Sequence, residues 1–257
     1  MTTTLTQMIG AEFLKLRKKR SLLAWSLLLT AGTTVVVFAW PAIQHASDSS
    51  HAPAGGLEGF RHALDTVGVF MAPLAAVLIG AEAGAGDLAS GVFRDLVVTG
   101  RSRRALFAVR APGALMLCLP LVAVAYGIAV LGTFALAGGT PTPGAGTVLE
   151  GLGWVLLTNA VVCVVAVGLA SLTGSRPATI TALIGFQLVA SPLLLQTTSL
   201  GSIRAGLLES TVLHLAPVTI NRGMFVSESL GVALVVMALW AAVSLGLGAW
   251  RTARVDA

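Results

Sequence analysis

The chain reads as an all-α integral membrane protein with six transmembrane helices, and three observations carry that reading. Hydrophobic residues make up 56% and charged residues 11% of the 257 positions, and the mean hydropathy is +0.89. Uncharged runs of bilayer-spanning length recur along the sequence. Lys and Arg gather in alternate connections, the asymmetry expected of cytoplasmic loops. An open sheet could not satisfy its backbone in lipid, so the spans are helical, about 20 residues giving about 30 Å of rise.

The expected spans are Leu22 to Trp40, Ala63 to Ala81, Pro112 to Ala137, Gly151 to Thr173, Pro177 to Thr198 and Leu230 to Trp250, in one transmembrane domain covering 1–257. The second is the weakest pattern. Asp65 and Glu82 bracket sixteen uncharged residues, and Pro73 interrupts them. Omitting it would invert every later segment.

Orientation follows from the flanks. Lys15, Arg17, Lys18, Lys19 and Arg20 precede span one; Arg94, Arg101, Arg103, Arg104 and Arg110 lie between spans two and three; Arg176 separates spans four and five; Arg251 and Arg254 follow span six. Thirteen of the sixteen basic residues thus fall on one side, leaving Arg61, Arg204 and Arg222 opposite. Both termini are therefore expected in the cytoplasm, and the net charge of +5 reflects topology, with no nucleic-acid partner implied.

The basic start resembles a secretory signal, but the apolar run is span-length and no small-residue cleavage site follows it, so a retained first helix is expected. Within 1–21, Leu5, Met8, Ile9, Phe13 and Leu16 recur at helical spacing while Gln7, Glu12, Lys15 and Lys19 take other faces. Either an interfacial amphipathic helix or a plain topogenic flank fits this pattern.

Several chemistries lack their residues. Cys118 and Cys163 fall inside spans, where buried thiols are inert. His45, His51, His62 and His214 lie in or beside the external loops with no ligand spacing, so no metal site is expected. A membrane-embedded His, a His-Glu-x-x-His pair and an ionisable residue near a span centre are all missing from the pattern. The lysines are Lys15, Lys18 and Lys19, and none ends a phosphate-cradling Gly-x-x-x-x-Gly-Lys-Ser/Thr loop. The chain is expected to be no enzyme and to hold no cofactor of its own; energised work would need ATP from another chain.

Between spans two and three, Val92, Phe93, Leu96 and Val97 share one helical face, with Arg94 and Asp95 on the other. Such a helix either lies on lipid or enters a partner's groove. In this stretch the sequence resembles the type-2 ABC exporter permeases. Members tend to carry, after the second span, an acidic residue, Gly-Thr, a Leu-Leu pair, Pro, a Ser-Arg element and Lys; the counterparts here are Asp87, Gly91 with Val92, Leu96 with Val97, Gly100, Ser102 with Arg103, and Arg110. Asp replaces Glu, Val replaces Thr, Gly replaces Pro and Arg replaces Lys, so the likeness is of type and spacing. Ala11-Glu12-Phe13-Leu14-Lys15-Leu16-Arg17 is similar to the Ala-Glu-x-x-Lys-hydrophobic-Arg opening of many such permeases. The likeness extends over length, span number and the long segment before the last span.

That resemblance implies a bacterial cell-membrane permease that pairs with a second permease subunit, a copy or a paralogue. ATPase subunits binding ATP and Mg would sit beneath. A cytoplasmic coupling helix around Gly91 to Thr99 would receive their motion, with Phe93 and Leu96 as buried anchors and Asp87, Gly91, Arg94, Asp95, Arg101 and Arg103 completing the interface. Ser199 to Ser229, with Ile203, Leu207, Leu208, Val212 and Leu215 at helix-like spacing, would form short external or re-entrant helices.

For a path, Asn159 and Gln187 are the strongest amides in the spans, with Thr33, Thr34, Thr158 and Tyr126 as weaker polar points. Such groups more often bond one another between helices, at about 0.6–2 kcal/mol each. Gly80 and Gly84 form a small-xxx-small pair suited to close helix contact, and Pro73, Pro120 and Pro192 can kink their spans. A path without fixed charges suits a hydrophobic or amphipathic cargo, such as a drug-like natural product, an antimicrobial peptide or a lipid; that it is exported, in resistance or self-immunity, is what the resemblance implies. An ATP-independent carrier and a membrane anchor recruiting a cytoplasmic protein are the alternatives.

Overall fold

The computed structural model describes residues 2–98, 100, 102–220 and 226–254, apart from the side chains of 2–4, 93, 94 and 96. Among these residues six helices are long and apolar enough to cross a membrane: Arg20–Ser47, Gly56–Ala89, Arg103–Ala135, Ala145–Thr173, Arg176–Gln196 and Leu230–Arg254, here spans one to six. They make the chain a multi-pass membrane protein, helical throughout with no strand among the described residues. Thr2–Lys18 is a separate helix that meets span one at Lys19, where the backbone turns extended. Most helices outrun the apolar runs that announced them, taking His45 and His62 into the ends of spans one and two.

Span two is the centre of the bundle. Nearly three quarters of its most apolar window is buried, 72%, against 17% for spans five and six. Its face toward span four is built from small residues. A methyl group placed on Gly80 would stand 2.5 Å from the Cys163 carbonyl, and one on Gly84 2.5 Å from that of Val167. Span six approaches span four in the same way, with Gly168 against the backbone of Ser244 and Gly248 against Gly168. Small residues permit this approach, and the dispersion contact it brings is what holds helices together where lipid removes the hydrophobic drive. Gly84→Leu must force spans two and four apart; overpacking of this kind costs about 1–3 kcal/mol. The expected result is a thermal transition in detergent lowered by several degrees, with Gly127→Leu, where a side chain meets nothing within 4 Å, as the silent control.

Three spans contain π-helical stretches, Leu28–Gly32, Leu64–Met71 and Phe186–Ala190. In spans two and five the stretch runs directly into a proline-started helix, at Pro73 and Pro192. Proline has no N–H for the carbonyl four residues earlier and crowds it, so the preceding turn widens. For Pro73 that carbonyl belongs to Val69, and the Gln187 side-chain amide of span five donates to it at 3.0 Å. Pro120 lies inside a continuous helix.

The connection between spans five and six folds back on the bundle. A 3₁₀ segment, Thr198–Gly206, leads to the helix Leu208–His214, whose residues Glu209 to Leu213 are buried. Its position is fixed by side-chain donors from the spans: Trp154 Nε1 to the Val212 carbonyl at 2.8 Å and Trp240 Nε1 to the Gly206 carbonyl at 3.0 Å.

Candidate functional site

The connections rich in Lys and Arg meet at one end of the bundle, and several of their charges are paired there. Lys15 Nζ donates to both oxygens of Asp87 at 2.9 Å and pairs with Glu12 at 2.5 Å. Glu82, 5% exposed, is held by Lys19 at the start of span one and by Arg176 at the start of span five, the latter at 2.6 Å. Arg110 is 1% exposed. Its Nη1 donates to the Gly84 carbonyl at 3.0 Å and to Ser171 Oγ at 3.1 Å, and Asp87 and Glu12 supply the opposite charge. Ionised groups in a low-dielectric interior persist only when paired and hydrogen-bonded, and this cluster joins the first helix to spans one to five.

Directly beyond it the chain leaves span two and forms a seven-residue helix, Val92–Val98. Gly91 (φ +75°) and Gly100 (φ +84°) bracket it in the left-handed region, with open space around both. Glycine is needed there for its backbone freedom alone. Val92 and Asp95 are exposed, and Val98 is 77% exposed. Ser102 then caps the next helix, its Oγ accepting from Ala105 N at 3.2 Å.

The residues expected at a partner interface therefore divide. Asp95, Gly91 and the backbone of the helix are presented outward; Asp87, 7% exposed, is committed to Lys15; Arg103 reaches back to the Ala253 carbonyl at 3.3 Å. Phe93, Arg94 and Leu96 belong to the helix, but their side chains, like Arg101 as a whole, lie outside the described residues.

The expected path residues do not converge. Asn159 Nδ2 bonds the Val155 carbonyl of its own helix at 2.7 Å, and Thr33 Oγ1 bonds Leu28 one turn back at 3.2 Å. Tyr126 OH bonds the Val148 carbonyl at 2.5 Å, and its ring stands edge-on to Phe60. Gln187 alone of the four lines an apolar cavity within the bundle, together with Thr158.

That cavity lies between spans two, four and five and is closed on one side by the Leu208–His214 helix. Val69, Val77, Val162, Leu183, Phe186 and Val212 form an apolar wall; Thr158, Gln187, Ser191 and Glu209 are its polar points. Glu209 was not legible as a site residue, because the helix-like spacing that gives its segment short external or re-entrant helices does not show which residues they turn into the bundle. The available signal was a lone acid inside the apolar repeat Leu208, Val212, Leu215. Its carboxyl is 8% exposed. The Ser191 hydroxyl stands beside it, yet neither group has a hydrogen bond of normal geometry among the described residues.

Burial pushes the Glu209 carboxyl above its ordinary value of 4.5, partly offset by Ser191. The fold thus favours the neutral acid. Its stabilising contribution is complete below pH 4.5 and disappears as pH rises through the raised value. Glu228, half-buried near His214, is shifted in the same direction by burial. Glu209→Gln cannot ionise, so it should raise the thermal transition at pH 7 and reduce the fall between acid and neutral pH, measured as detergent melts across that range; Glu228 supplies the slope that remains.

No protein-family model matches the chain, and no curated protein is significantly similar to it.

Proposed function

We propose that the chain is the transmembrane permease subunit of a type-2 ABC exporter, energised by separate ATPase subunits and moving a hydrophobic or amphipathic cargo. The observation that carries this reading is the Val92–Val98 helix. It stands at the basic end between two left-handed glycines, with valine side chains in the open. A partner's groove would cover that surface, and a push on the helix would enter span two beside the ion cluster that joins five of the six spans. The ATPases would contribute ATP and Mg; this chain would contribute the docking helix and the path. The apolar cavity supports the cargo class.

On this reading both termini are cytoplasmic, the membrane is a bacterial cell membrane, and the helix Thr2–Lys18 lies along its inner interface. Spans five and six, mostly uncovered, have room for a second permease subunit. Export in resistance or self-immunity rests on the family resemblance. One observation favours a rival: Glu209 places a buried carboxyl beside the cavity, where an ion-coupled carrier would need one. Inside-out vesicles from the native membrane decide between them. Cargo uptake into the vesicles driven by ATP and indifferent to collapse of the ion gradients supports the exporter; uptake driven by the gradients alone supports the carrier.

A further inference from the structure

The cavity has a sign. Among the described residues no Lys, Arg or His lines it, and its polar points are acceptors or hydroxyls: the Glu209 carboxyl, the hydroxyls of Thr158 and Ser191, and the Gln187 carbonyl oxygen, whose amide nitrogen is already bonded to Val69. Thr158, Ser191 and Glu209 are each more than nine-tenths buried; Ser191 stands beside the Glu209 carboxyl, and none of these side-chain atoms has a hydrogen bond of normal geometry among the described residues. Ionising Glu209 with no counter-charge among the described lining residues costs several kcal/mol, so the neutral acid is favoured until a cation supplies that charge. The geometry points to a binding site for a lipophilic cation, whose charged centre sits against Glu209 while its apolar body lies along Val69, Val162 and Phe186.

An organic cation fits this lining better than a neutral lipid or an acidic amphiphile. It supplies the missing counter-charge, and its hydrocarbon occupies the wall that water would wet poorly. An aromatic face at Phe186 adds attraction for a cationic centre at close range. Tilted against Trp240 of span six, the Phe186 ring is held from behind. The role of this ligand as cargo rests on the exporter reading; its binding does not.

The probe is tetraphenylphosphonium, titrated by calorimetry into the full-length protein in detergent at pH 7.5, with the isosteric anion tetraphenylborate as comparison. Saturable binding of the cation is expected, at least tenfold weaker in Glu209→Gln, retained within a few-fold in Glu209→Asp, and abolished by Val162→Trp, which fills the cavity. The anion should not displace it. Equal affinity in Glu209→Gln, equal competition by the anion, or no saturable binding to the unaltered protein would each overturn the proposal. If Glu209→Gln does not fold, the cation–anion contrast and Val162→Trp decide. Binding without ATP-driven uptake in vesicles would keep the site and remove the exporter; uptake without Glu209-dependent binding would do the reverse.

Discussion

Arg110→Ala lowers the thermal transition of the purified protein by on the order of 10 °C. The guanidinium is 1% exposed and ties span three to the Gly84 carbonyl of span two and the Ser171 hydroxyl of span four. Removing it leaves Asp87 and Glu12 to Lys15 alone and opens a cavity where the first helix meets spans two, three and four. Breaking one side of a buried charge cluster costs about 3–5 kcal/mol, and each kcal/mol corresponds to about 2–4 °C for a chain of this size. The neighbouring Arg103→Ala, which loses one long bond at 3.3 Å, should change stability by less than about 0.5 kcal/mol. Adding Asp87→Asn to Arg110→Met removes one charge of each sign, leaves Lys15 its pair with Glu12, and should recover much of the loss. Equal, small shifts for Arg110→Ala and Arg103→Ala would show that the cluster does not hold the bundle.

On the proposed exporter reading, Phe93→Ala with Leu96→Ala leaves the protein inserted and abundant but stops ATP-driven transport. The two residues lie on one face of the Val92–Val98 helix by sequence spacing. Buried apolar anchors at an interface are worth about 2 kcal/mol or more each, so losing both weakens docking by on the order of a hundredfold or more. Folding is expected to survive, with the melting temperature of the bundle unchanged. A parallel loss of membrane protein and transport would make the helix a structural element. Unchanged transport would remove it from the energy path.

The bundle was legible in the sequence because lipid permits few alternatives: long apolar runs must be helices, and their number follows from counting. Span two is the instructive case. Its pattern is the weakest, with Asp65, Glu82, Pro73 and a high share of Gly and Ala, yet it is the most buried helix. Hydropathy rewards the large side chains that face lipid, whereas a central helix needs small ones for close approach and can keep charges that neighbours neutralise. Asp87 illustrates what spacing cannot reach. Its partner Lys15 is 72 residues away, so the sequence could assign it to an interface while the fold turns it inward. Gln187 was legible as a polar point but not as the donor to a carbonyl left by Pro73, because that pairing depends on the π-helical turn before the proline. Glu209 stayed hidden since its short helix enters the bundle through tertiary contacts from Trp154 and Trp240.

The most direct test of the central claim is mild-detergent purification of the tagged protein from its native membrane, followed by mass spectrometry of what remains bound. The account predicts a soluble ATPase with Walker motifs at near one-to-one ratio, lost when Phe93 and Leu96 are both alanine. A homogeneous preparation of this chain with no ATPase, from membranes where transport is active, would contradict it.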